Sequence, residues 1–139
     1  MRSKAMEFTG RCYCGDIQYS ASGDPVIKAQ CHCRECQYIS GGNANVTIGM
    51  PDDGFKYTKG SPKQFQRSDL ENGVVRDFCG NCGTGLLSVA AALPGVRLIR
   101  VGTMDDPGMF TPDMAIFTVD RQSFQHIPDG MPAFEKMPG

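Results

Sequence analysis

The sequence predicts a mainly β protein, and three observations carry that prediction. Apolar and polar residues alternate over short stretches, the mark of half-buried strands. Seventeen glycines and nine prolines break those stretches at close intervals. Helical periodicity is nearly absent. In chain order the alternation places strands at residues 16–21, 26–33, 44–48, 55–58, 63–68, 74–78, 86–90, 97–101 and 115–118. Turn residues separate them, among them Gly23-Asp24-Pro25, Ser40-Gly41-Gly42-Asn43, Asp52-Asp53-Gly54, Asn72-Gly73 and Pro94-Gly95. Only residues 34–39 and 105–109 suit a helical turn.

At 139 residues the chain is near the usual size of one domain, about 100–150 residues, so residues 1–139 are expected to form a single domain. Hydrophobic residues make up 40% and charged residues 21%, the mixture of an ordinary folded protein. No apolar run approaches the roughly 20 residues of a membrane span, so no membrane partner is expected. The net charge of -1, with no block of Lys or Arg, offers a phosphate backbone little attraction and argues against nucleic acid. Arg2 and Lys4 supply early positive charge, but no uninterrupted apolar stretch of about 7–15 residues follows, as a signal peptide requires. A reducing cytoplasmic setting is therefore expected.

The seven cysteines fall into three clusters, Cys12-Tyr-Cys14, Cys31-His-Cys33-Arg-Glu-Cys36 and Cys79-Gly-Asn-Cys82. In a reducing compartment such close spacings point to metal rather than disulfides, and an odd count leaves one thiol over in any disulfide scheme. On strands, side chains at i and i+2 share a face, so each Cys-X-Cys pair can grip one ion. Cys79 to Gly83 makes a knuckle whose backbone N–H groups address the sulfurs, with Gly83 free to take positive φ. The middle cluster combines both devices and offers three ligands from six residues. Four thiolates close a tetrahedral zinc site, whereas three leave one position open. The simplest division joins Cys12, Cys14, Cys79 and Cys82 in one site and leaves Cys31, Cys33 and Cys36 to a second. Spacing leaves other partitions open, such as the middle cluster borrowing a cysteine from another pair.

A histidine completing the second site is the competing reading. His32 sits between two ligands and points to the opposite strand face, so a packed or surface role suits it better. His126 lies in a late loop within possible reach. Ser40-Gly41-Gly42-Asn43 has glycines that let backbone N–H groups approach a substrate carboxylate, but a tight turn is the plainer reading. Lys28, Arg34 and Arg76 flank the clusters and suit charge balance or a solvent-facing role. Asp105-Asp106 before Pro107 suits a turn better than a second carboxylate site.

Gly10-Arg11-Cys12-Tyr13-Cys14-Gly15, Cys31-His32-Cys33-Arg34-Glu35-Cys36 and Phe78-Cys79-Gly80-Asn81-Cys82-Gly83 resemble, in order and spacing, the glutathione-dependent formaldehyde-activating enzyme family, which includes centromere protein V. The later Gly102-Thr103-Met104-Asp105-Asp106-Pro107 and the segment at 127–134 look like its C-terminal elements, so the resemblance covers about 9–135. It implies a β-tent fold of small antiparallel sheets and two Zn2+ per chain. By position it implies that Cys12, Cys14, Cys79 and Cys82 hold a structural zinc, and that Cys31, Cys33 and Cys36 hold a catalytic one.

The chemistry of an open three-thiolate zinc follows from its charge. Three anionic sulfurs neutralise the ion, leaving a weak Lewis acid and a poor source of hydroxide, while a substrate thiol bound there stays deprotonated and fixed in place. The expected activity is that of a carbon-sulfur lyase or synthase on a small thiol adduct, resembling S-(hydroxymethyl)glutathione synthase, with glutathione and formaldehyde as the family's partners. The alternative is a zinc-stabilised binding domain without catalysis. The basic extension expected for a chromatin or microtubule role is missing from this sequence.

Overall fold

The computed structural model describes residues 5–138, and strands dominate it. In chain order these are β1 (Met6–Arg11), β2 (Gln18–Gly23), β3 (Ile27–Cys31), β4 (Asn45–Pro51), β5 (Phe55–Lys59), β6 (Lys63–Phe65), β7 (Val75–Phe78), β8 (Gly85–Val89), β9 (Val96–Arg100) and β10 (Met114–Ile116), with one short helix, α1 (Arg34–Ser40), between β3 and β4. A three-stranded sheet has the order β1-β2-β5, and a seven-stranded sheet the order β10-β3-β4-β9-β8-β7-β6. All neighbours run antiparallel except β10 and β3, which are parallel. The expectation of small antiparallel sheets thus describes the first sheet, while the second is larger and mixed. Among the described residues no helix is long and apolar enough to cross a membrane.

The clearest departure from the sequence reading is β1, which alternation left out. Its register with β2 runs from Met6 opposite Gly23 to Arg11 opposite Gln18, burying Phe8. Asp105 ties it down by accepting from Thr9 Oγ1 at 2.6 Å and Arg11 Nε at 3.3 Å. The expected turn at 105–109 shortens to a 3-10 turn at Pro107–Met109, capped by Asp106, which accepts from the Gly108 N–H.

The two faces of the large sheet have different tasks, and the period-two alternation of β4 separates them. Ile48 and Met50 are fully buried and join Ile99 and Leu87 against Phe8 and Tyr19 of the small sheet and Ile17 in the turn before β2. Tyr19 stacks on Phe55 at 5.5 Å and shares a 2.8 Å hydrogen bond with Thr103. The alternate residues Asn45 and Thr47 line a cavity instead. Gly49 continues that row, and a Cβ there would meet Ile27 Cγ2 at 2.7 Å. Its lack of a side chain lets Ile27 and Leu98 approach each other across β4.

Candidate metal centres

Cys12 and Cys14 lie in the turn that joins β1 to β2, not on a strand. Arg11 and Gln18 are cross-strand partners, so the residues between them must reverse the chain. The reversal serves the sulfurs, because Ile17 N–H donates to Cys12 Sγ at 3.3 Å while Gly15 N–H closes the turn on the Cys12 carbonyl at 3.1 Å. The Cys79 knuckle follows β7 as expected. Asn81 and Cys82 N–H groups each point at Cys79 Sγ at 3.4 Å, and Gly83 takes φ +80°.

These two turns bring their four sulfurs within 4.8 Å of one another. A tetrahedral zinc with bonds of about 2.3 Å would set thiolate sulfurs about 3.8 Å apart. Cys12 and Cys14 are separated by 3.6 Å and Cys14 and Cys79 by 3.8 Å, so the set fits such an ion. Asn81 Nδ2 donates to Cys14 Sγ at 3.3 Å, and Thr84 Oγ1 lies 3.1 Å from Cys82 Sγ. That Thr84 hydroxyl, helped by the Thr84 backbone, lowers the Cys82 thiol to about 6. Cys12 and Cys79 belong to the main core, where each is 1% exposed.

Cys31, Cys33 and Cys36 form the second gathering, again with sulfurs within 4.8 Å. Only Cys31 is on a strand. Cys33 instead caps α1 in an extended conformation and accepts from the Cys36 N–H at 3.2 Å, so a helical turn brings the third sulfur round. Contacts with Cys31 and then Cys36 hold the Cys33 thiol down to about 2. Cys31 is pushed well above the ordinary thiol range by Cys33 first, then by Cys36 and burial. Cys36 is drawn down by Cys31 but driven up to about 11 by Cys33 and burial together. Three sulfurs this close disfavour ionising together, and a bound cation would allow all three to be thiolates.

No histidine or carboxylate joins either sulfur group among the described residues. His126 is exposed, and its carbonyl accepts from Gln30 Nε2 at 3.0 Å. His32 is fully buried behind the three-sulfur turn. Its Nδ1 donates to Gln125 Oε1 at 2.9 Å, and its Nε2 accepts from Gln30 Nε2 at 3.1 Å. Gln125 is itself fully buried and donates through Nε2 to the Gly42 carbonyl at 3.0 Å. Gln37 Nε2 links the His32 and Asp120 carbonyls, both at 2.9 Å. Gln37, Asp120 and Gln125 therefore position the turn, although no motif marks them in the sequence.

The remaining sequence candidates have structural partners. Residues 41–43 close α1: Gly41 is its left-handed cap, and Ser40 Oγ donates to the Asn43 carbonyl. Lys28 pairs with Asp113 at 3.8 Å and Arg76 with Glu35 at 2.7 Å, while Arg34 bonds Gln37 Oε1 and lies over the Tyr38 ring. Arg100 is half-buried, and burial followed by repulsion from Arg76 lowers its pKa, with Cys36 pulling the other way. Beside the three cysteines lies a cavity of about 450 Å³. Its walls include Ile27, Ala29, Leu98, Ile116 and Phe117, together with the polar Asn45 and Thr47. Asn45 Nδ2 lies 3.9 Å from Cys36 Sγ.

A sequence model for the family described as glutathione-dependent formaldehyde-activating enzyme matches residues 7–120, a span that contains all seven cysteines. No curated protein matches the chain. A crystal structure of a Rhodobacter sphaeroides protein from a structural genomics programme is similar at 12% identity. Its TM-score is 0.58, over 91% of this chain and 98% of that one, a likeness of fold.

Proposed function

The chain belongs to the glutathione-dependent formaldehyde-activating enzyme family, and we propose that it is a zinc-dependent enzyme of the carbon-sulfur lyase type, working as one β-tent domain with two zinc sites. The family implies glutathione or a thiol adduct as the small-molecule partner. One observation carries the reading: Cys31, Cys33 and Cys36 converge with no fourth histidine or acidic ligand among the described residues, and they border a cavity. The four-sulfur group has no such opening in its ligand set and suits a structural ion.

Zinc held by Cys31, Cys33 and Cys36 would supply one free position that keeps a substrate thiol deprotonated. The overall reaction joins the thiol sulfur to an aldehyde carbon and moves the thiol proton to the carbonyl oxygen, giving an S-hydroxyalkyl adduct; the reverse splits it. The chain's part is positioning. Asn45 holds Cys36, the His32–Gln125–Gln37 network fixes the turn from behind, and the Asn45, Thr47 and Ser88 side chains offer polar contacts along the cavity.

The test is the rate of adduct formation from glutathione and formaldehyde by zinc-loaded protein, followed against the uncatalysed background. Acceleration that disappears in Cys33→Ser is expected. No acceleration with any thiol and aldehyde pair would remove the catalytic assignment.

A further inference from the structure

The cavity beside the three cysteines has a chemistry of its own. Its wall includes the hydrocarbon side chains of Leu93, Leu98, Ile27, Ala29, Ile116 and Phe117, and the gap at Gly49 gives Ile27 and Leu98 room to meet. Of the charged groups that line it, Arg76 pairs with Glu35 at 2.7 Å, the Arg34 guanidinium bonds the Gln37 amide and lies over the Tyr38 ring, and Asp120 Oδ2 accepts from the Arg34 backbone N–H at 3.3 Å. Arg100, which has no ion pair among the described residues, lines a neighbouring cleft that shares Asn45, Arg76 and Ser88 with this cavity. Phe117 stands at φ +54°, a left-handed conformation that costs a bulky residue energy, and it is held there where its side chain joins the cavity wall.

A volume of about 450 Å³ is that of a small-molecule site, while formaldehyde has only two non-hydrogen atoms. Glutathione brings two carboxylates and an ammonium, whereas most of this wall is hydrocarbon and Arg34 is its one cation without a carboxylate partner among the described residues. Resting on the reading that a substrate sulfur meets the Cys31–Cys33–Cys36 centre, the geometry points to a thiol or thiol adduct with an apolar hydrocarbon body, which lies along Ile27, Leu98, Ile116 and Phe117 next to the reacting sulfur. The apolar part enters with either the thiol or the aldehyde, since both flank the same carbon-sulfur bond.

Calorimetric titration of the zinc-loaded protein with linear alkanethiols from ethanethiol to hexanethiol, with glutathione and with alkanols of matching length, tests this. Burying each added methylene should tighten binding about three- to fourfold until the cavity is full. Hexanethiol should bind more tightly than glutathione, and Leu98→Gln should flatten the series while Leu98→Met keeps it. Leu93→Gln, in the loop after β8, gives the same comparison if Leu98→Gln does not fold. Adduct rates with hexanethiol and formaldehyde against ethanethiol and hexanal then show which partner carries the chain. Affinity independent of length, or glutathione binding more tightly than hexanethiol, overturns the apolar assignment and leaves the carbon-sulfur reading intact. Alkanols binding as tightly as alkanethiols would remove the sulfur reading while upholding the apolar cavity.

Discussion

The two cysteine centres use the same ligand atom in opposite ways. In the four-sulfur group, the cysteines come from two turns, with Cys14 and Cys79 separated by 65 positions in the chain, and their sulfurs are surrounded by N–H and O–H groups from Ile17, Asn81, Cys82 and Thr84. An ion there joins distant segments and seals part of the core. In the three-sulfur group all the sulfurs come from six consecutive residues, and the surroundings are a buried amide network on one side and a cavity on the other. An ion there joins little that the chain has not already joined. The difference teaches that connection sets how much fold a thiolate centre carries, while the missing ligand and the open side set what else it can do.

The comparison breaks most severely at Cys79. Structural zinc in small modules contributes on the order of 10 kcal/mol, comparable with the whole stability of a typical domain, so Cys79→Ala is expected to lose the far-ultraviolet dichroism of the strands together with bound zinc. A folded variant with its zinc count unchanged would show that the four-sulfur centre does not hold the fold together.

Cys33→Ala should act in the opposite sense, lowering the zinc count from about two per chain to about one while the protein stays folded. Loss of the α1 cap costs about 1 kcal/mol in thermal unfolding, and adduct formation should fall at least about a hundredfold. A count that does not change would merge the two centres into one kind.

Gln125→Leu sharpens the contrast without touching a ligand. It leaves the buried His32 Nδ1–H without its partner, at about 1–3 kcal/mol, and removes the donor to the half-buried Gly42 carbonyl. Competition with a chelator should show zinc at the three-sulfur centre held about tenfold more weakly, with the four-sulfur centre unaffected. Equal weakening of both would mean the network supports the whole fold rather than this turn. The smallest effect is expected for Asn81→Ala, which removes one donor to Cys14: about 0.5–1.5 kcal/mol in chemical denaturation, with both ions retained.

Much of this was legible along the chain because the signals are local. Most strands appear near their predicted positions, since alternation and turn residues act within a few neighbours. The knuckle at Cys79 and its Gly83 also match. β1 escaped because its short stretch is held by pairing to β2 and by Asp105, far along the chain. The strand reading of Cys12 and Cys14 missed that Arg11 and Gln18 pair, which forces a turn between them. Phe117 ends β10 early through a backbone conformation that its side chain disfavours, and no propensity predicts that.

The sequence by itself determined the candidate sulfurs, their grouping into close pairs and a triplet, and the β-rich class, because spacing over two or three residues is enough to aim sulfurs at one point. Tertiary structure decided which pairs meet. It also placed Gln125 against His32 across 93 positions and laid Leu98, Ile27 and Phe117 around an apolar space. Those choices depend on strand order and on which face each row presents, and packing the two sheets on one another sets both.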